Sequence, residues 1–471
     1  MALRIVASRP DPAIITLPWS TPLEEWGEEH VVPLPRGLSR HVVRIVRLRD
    51  RVYAVKETVE DIAFREYRLL RDLQRMGMPA VVPQGVVAGR VDADGEELPA
   101  ALITEHLRFS LPYRSLFSHG AGREDLPRLV DALVVLLVRL HLADFYWGDV
   151  SLSNVLFRRS ADGFAAYLVD AETGELRSSL SRQMREHDVT VATENVFAEL
   201  LDLQASLPGH GSAAEAIEPH EVVELLLRRY DELWGELTGH EEFSAGELWR
   251  IERRLERLND LGFDVDELDI VTDYDGDQVR IQPKVVEAGH HRRELQSLTG
   301  LDVEDAQARR LLNDLAAFTA HHDLGREDRQ LVANRWLTRV YEPLTAMIPA
   351  DSRGKLEPAQ FFHEVLVHRW YLSERAGRPV DIFDTARDYI DTVLTSKPDE
   401  AMAADPDDDP DDTDPTDAPT DAGGVRRRRG RVRRGAEGSS GTRWNWRCLA
   451  DASAWWREIH RVPDEPSDPR P

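Results

Sequence analysis

Between about residue 40 and residue 170 the apolar residues change period several times, and few folds accept that succession. HVVRIVRL and VYAVKE alternate as strands do and meet at the polar turn RDR, which predicts a hairpin. DIAFREYRLLRDLQRMG follows at helical spacing and stops at a glycine. VVPQGVVAGRV and ALITEHL read as two more strands on either side of the loop DADGEELP. A long helix comes next, with Leu126, Val130, Leu133, Leu137 and Leu140 on one stripe. Then FYWGDVSLSNVLF sets a carboxylate, Asp149, and a carboxamide, Asn154, in aromatic and apolar surroundings, before the short run AAYLVD.

Length and charge bound the rest. A chain of 471 residues is too long for one core, and 42% hydrophobic residues supply more than one. From about residue 190 nearly everything reads helical, except LDIVTDYDGDQVRIQPKVV, whose Asp-Gly turn predicts one hairpin. After about residue 396 an Asp/Pro/Thr tract leads into RRRRGRVRR and a tryptophan-rich end, the composition of a disordered linker and tail. A formal charge of −26 disfavours nonspecific binding of nucleic acid or anionic membrane by the body of the protein. The single cysteine, Cys448, excludes an intrachain disulfide and argues against a thiolate metal site. MALRIVASRPDPAIITLPW lacks the apolar stretch of a signal peptide, and LPRLVDALVVLLVRLHL is too short and too charged to span a bilayer. The expected setting is cytoplasmic.

Two charges fall on faces that should be buried. Glu66 shares a helix face with Ile62, Leu69, Leu70 and Leu73, where a desolvated carboxylate needs a cation. Strand alternation puts Lys56 on one side with Val52 and Ala54, the position of a residue beneath a flat ligand. Alone, the pair also reads as a structural salt bridge or as a lysine that snorkels to solvent.

The order of parts (strand lysine, helix glutamate, strand into a linker, long helix, Asp-x4-Asn, strand ending in Asp170) resembles a protein-kinase-like fold. That resemblance implies ATP and magnesium as cofactors. Lys56 would hold the phosphates and Glu66 would orient it, Asp149 would accept the proton of the attacking hydroxyl, and Asn154 and Asp170 would ligate the metal. Backbone groups of Glu105 and Leu107 would meet adenine, with Ala54 beneath the ring. Gly37, in PLPRGLSRHVV, would stand in the phosphate-covering loop, assisted by Arg36 or Arg40. PRGLSRHVVRIV, YAVKE, REYRLLR, WGDVSLSNVLFRR and AAYLVDAETGEL also resemble an uncharacterised actinobacterial domain-of-unknown-function family, whose first half is similar to the lipopolysaccharide kinases. RLNDLGFDVDEL, VVEAGHHRRELQSLTG and HRWYLSERAG extend the likeness to about residue 395.

The implied fold is α+β, with a bilobal kinase-like domain over residues 1–215, a mainly helical domain of unknown function over 216–395, and a tail over 396–471. The implied activity is transfer of the γ-phosphate to a hydroxyl of a small molecule, glycan or protein. The alternative is a pseudokinase scaffold that recruits a protein partner through its helical half. Departures from the kinase pattern are one glycine in the phosphate loop, Trp147 for histidine, and Ala171-Glu172 after Asp170. HEVLVH spaces His363 and His368 too far around a helix to share a metal, DYDGD lacks the closing glutamate of a calcium loop, and GHHRR reads as a solvated loop or an anion-binding corner. Arginines interleaved with Trp444, Trp446, Trp455 and Trp456 leave open nucleic-acid binding by the tail, masking of it by the acidic tract, or no role.

Overall fold

The computed structural model describes residues 3–8, 11–27, 29–32, 41–49, 51–118, 125–161, 163–206, 218–239, 241–244, 263–272, 278–378 and 380–397. Residues 398–471 of the tail lie outside these residues, as do Arg36, Gly37, Arg40 and the DYDGD segment. The described residues all fall within one compact unit.

The N-terminal lobe is an antiparallel sheet of β1 (Arg4–Ala7), β2 (Val43–Leu48), β3 (Arg51–Thr58), β4 (Val82–Ala88) and β5 (Ala100–Glu105), in the order β1-β4-β5-β3-β2. The predicted β2–β3 hairpin pairs Val43 with Lys56 through Leu48 with Arg51. Alternation along β3 sends Tyr53 and Val55 to the outer face and leaves Ala54 and Lys56 on the inner one. Ile14, Leu17, Trp19, Leu23 and Trp26 cover that outer face, a strap with no periodic signature. Arg90, 1% exposed, ties the strap down by donating to the carbonyls of Trp19 and Thr21 and to Glu57 Oε1 at 2.6 Å. Helix α1 (Glu60–Arg75) packs Ala63, Tyr67, Leu70 and Leu73 against the inner side.

The second lobe begins with β6 (Ser110–Leu111) and α2 (Tyr113–Ser118), which lead to α3 (Leu126–Leu142). Helix α3 buries residues on every side, the pattern of a central core helix. After β7 (Phe145–Tyr146), the hairpin of β8 (Val155–Ser160) and β9 (Gly163–Leu168) pairs with β6, while β10 (Glu175–Leu176) pairs with β7. Helix α4 (Arg182–Ser206) and helix α5 (Pro219–Thr238) close the core, and α5 contributes Val222, Leu226, Tyr230, Leu233 and Leu237 at helical spacing. Leu168 joins the lobes, its amide donating to the Pro79 carbonyl and its carbonyl accepting from Val81, each at 3.0 Å.

Strands β11 (Glu241–Ser244), β12 (Phe263–Thr272) and β13 (Gln278–Ala288) form a small sheet in the order β11-β13-β12. The β12–β13 pair is the expected hairpin, and β11 adds a strand that the sequence did not announce. Helices α6 (His290–Thr299), α7 (Asp305–His321), α8 (Arg329–Trp336), α9 (Pro358–Ala376) and α10 (Ile382–Thr392) make the rest mainly helical. GHHRR forms the first turn of α6, with Arg292 paired to Asp302 at 2.6 Å. His363 is buried in the core, whereas His368 meets Asp388 at 2.6 Å. Among the described residues no helix is long and apolar enough to cross a membrane.

Arg158 on β8 reaches Glu304 at 3.1 Å and Glu357 at 2.7 Å, and Tyr167 on β9 also donates to Glu304. Burial pushes Glu357 up to about 7, reinforced by the Glu304 and Asp302 charges and opposed by Arg158. A carboxyl whose pKa is higher folded than unfolded stabilises the fold at low pH. That contribution fades as pH rises from the ordinary 4.5 through about 7. The melting temperature should therefore decline over this window, and Glu357→Gln should flatten the decline. An unchanged slope in the variant would place the titration elsewhere.

Candidate active site

Lys56 and Glu66 come together because β3 and α1 each turn one charge inward. The Lys56 ammonium lies 2.9 Å from Glu66 Oε2, 2.8 Å from Asp170 Oδ2 and 3.5 Å from Glu172 Oε2. Glu66 is 1% exposed, so its charge has little water to lean on. Burial alone would lower the Lys56 pKa, but the adjacent Glu66 and Asp170 carboxylates hold it above the ordinary value. Burial and the Asp170 charge push Glu66 up to about 7 against the pull of Lys56. Asp170 also suffers burial, yet Lys56 and the Glu172 amide hold it below the usual carboxylate range. His41 Nε2 stands 2.8 Å from Glu172 Oε2 on the open side.

The loop bearing Asp149 is held at almost every polar atom. Asp188 on α4 accepts from the amides of Trp147 at 2.8 Å and Gly148 at 2.7 Å, and its Oδ2 lies 3.2 Å from His141 Nε2. Trp147 is fully buried and donates its indole N–H to the Asp170 carbonyl at 2.9 Å, so the residue replacing the usual histidine binds the loop to the strand end. The Asn154 carboxamide donates to the Asp149 carbonyl at 2.9 Å and to Asp149 Oδ2 at 3.2 Å. Asn195 on α4 donates to Asp149 Oδ1 at 3.3 Å and to the Val150 carbonyl at 3.0 Å. Glu199, one turn on, accepts from the Leu152 and Ser153 amides at 2.7 and 2.9 Å.

Gly148 makes the turn into Asp149 with φ +80°, and a Cβ there would sit 3.0 Å from the Tyr146 ring. Gly148→Ala should cost about 1–2 kcal/mol from the left-handed backbone alone. Chemical denaturation should show at least that loss. A neutral substitution would mean that the loop has another accessible conformation.

Asp149, Asn154 and Asp170 line one cavity of about 330 Å³, together with His41, Ser151, Ser153, Glu172, Thr173, Asn195, Ala198 and Glu199. Lys56 and Glu66 attach to it through Asp170. Ala54 lies on the Lys56 face of β3, while Glu105 ends β5 and accepts from Gln84 at 3.1 Å. Ala54, Glu105 and Leu107 are not part of the cavity lining. Sequence reasoning missed His41, Glu172, Asp188, Asn195 and Glu199. Asp188, Asn195 and Glu199 did leave a signal, since their spacing places all three on one face of α4.

The donor set fits magnesium. With Asn154 Nδ2 committed to Asp149, its carboxamide oxygen remains, and Asp170 presents a second hard oxygen to the same cavity. Oxygens of Glu66, Asp170 and Glu172 all lie within 4.8 Å of one another.

Residues 47–195 match the lipopolysaccharide kinase (Kdo/WaaP) family, and residues 232–394 match the domain of unknown function DUF4032. Among curated proteins none matches this chain. A solved structure titled "WaaP in complex with acyl carrier protein" is similar at 20% identity and a TM-score of 0.30, over 54% of this chain and 99% of that one. The chain thus joins a region similar to the kinase-like lipopolysaccharide kinases, which carries Lys56, Glu66, Asp149, Asn154 and Asp170, to a DUF4032 region.

Proposed function

We propose that this chain is an ATP- and magnesium-dependent phosphotransferase acting on a hydroxyl of a small molecule, glycan or protein. The observation that carries the reading is the convergence of Asp149, Asn154 and Asp170 on one cavity whose far side is anchored by the Lys56–Glu66 pair. Phosphoryl transfer needs positioning and charge more than covalent help, and these residues supply both. Lys56 neutralises the phosphate oxygens, with Glu66 fixing its ammonium. Asp149, steadied on each oxygen by a carboxamide, orients the acceptor hydroxyl and takes its proton as the new P–O bond forms and the bond to the ADP oxygen breaks. Asn154 and Asp170 would hold magnesium, which supplies positive charge to the transferring phosphate.

A thermal-shift titration tests the nucleotide half. ATP with magnesium at a hundredfold excess over the dissociation constant should stabilise the chain by about 2.7 kcal/mol. Asp170→Asn should remove the magnesium-dependent part and spare the rest. No shift at saturating ATP would favour the scaffold reading.

A further inference from the structure

The two proposed metal-holding residues flank one hairpin. Asn154 immediately precedes β8 and Asp170 follows β9 by two positions, so the register and pitch of this hairpin set how the two side chains face each other. Pairing within the hairpin runs from Val155 with Leu168 at the site to Ser160 with Gly163 at the tip. Within the lobe the hairpin packs Val155, Phe157, Ala166 and Leu168 into the core shared with α3.

The helical half adds a second support, through polar groups that are costly to bury. Gln360 on α9 donates to the carbonyl of Ala161 at 3.2 Å, and Gln307 on α7 donates to that of Arg159 at 3.4 Å. The two carboxamides also bond each other, Gln307 Nε2 to Gln360 Oε1, at 3.0 Å. Gln307 is 1% exposed and Gln360 4%. Ala161 sits at φ +50°, a left-handed conformation that a non-glycine residue keeps only when its surroundings hold it. Lower on the strands, Glu304 and Glu357 grip Arg158, and Glu304 also takes the Tyr167 hydroxyl. All four gripping residues fall within the DUF4032 match. An apolar contact would bury area without fixing register, whereas paired amides accept one alignment only.

We infer that the helical half is a splint for the metal-holding hairpin: Gln307 and Gln360 act as positioning residues that fix the β8–β9 tip and, through it, the alignment of Asn154 with Asp170. The inference rests on the phosphotransfer reading of the cavity. It assigns the DUF4032 region a task inside that site rather than a separate activity. Residues that orient ligands from outside the coordination sphere typically alter metal affinity by about 10–100-fold when removed.

The test uses the full chain with Gln360→Met, Gln307→Met and the double variant, near-isosteric changes that delete the amide donors. ADP binding is titrated with magnesium and with EDTA, and amide exchange is followed over residues 155–168. The splint predicts faster exchange in the hairpin and roughly 10-fold weaker ADP binding in magnesium, with binding in EDTA unchanged. Should the double variant fail to fold, each single variant carries the same expectation at smaller size. Unchanged exchange overturns the inference, and so does faster exchange with undiminished magnesium-dependent binding. A wild-type chain that binds ADP identically with and without magnesium overturns the phosphotransfer reading itself, and the splint with it.

Discussion

Asp149→Asn should lower turnover by roughly 10²–10⁴-fold while leaving ATP affinity nearly unchanged. The substitution keeps the shape and removes the proposed proton acceptor. Asn154 and Asn195 donate to the Asp149 carboxylate from opposite sides, so the side chain is already oriented and the loss should be one of chemistry. An asparagine amide at this position would also turn N–H groups toward donors, which costs the loop a little stability. Residual ATP hydrolysis or autophosphorylation gives an assay before the acceptor is identified. Equal rates in wild type and Asp149→Asn would remove Asp149 from the mechanism and move the protein to the scaffold class.

Lys56→Met should have the largest effect on stability. The ammonium contacts three carboxylates, two of them within 2.9 Å, and Glu66 has no exposed path to solvent. Removing one partner of a buried pair typically costs about 3–5 kcal/mol, because the other charge stays buried and alone. Part of that cost should return when Glu66 is also neutralised, so Lys56→Met with Glu66→Gln should be more stable than Lys56→Met by itself. Denaturant melts of the four members of this cycle measure the coupling. Strictly additive losses would show that Lys56 and Glu66 do not interact energetically. Nucleotide affinity should fall in both lysine variants, since the charge proposed to hold the phosphates is gone from each.

The sequence by itself determined the inward faces and the order of parts. Alternation in VYAVKE and helical spacing in DIAFREYRLLRDL already turned Lys56 and Glu66 toward a buried side, and the structure brings them to 2.9 Å. The α+β architecture, with a strand-rich first lobe and a mainly helical remainder, was legible for the same reason, because burial period is a local property. What each face is buried against is not local. Only the tertiary structure decided that residues 14–26 strap the outer sheet through Arg90, since that segment has no period and its anchor lies some seventy positions away. Only it decided that Asp188, Asn195 and Glu199 carry the loop bearing Asp149, and that Glu172 and His41 crowd the Lys56 site. The grip of Gln307 and Gln360 on the hairpin tip spans 148 and 199 positions and uses uncharged amides and backbone carbonyls. Such partners leave no trace in composition or spacing, because a hydrogen bond between distant segments is specified by where the chain brings them and not by what stands beside them in the sequence.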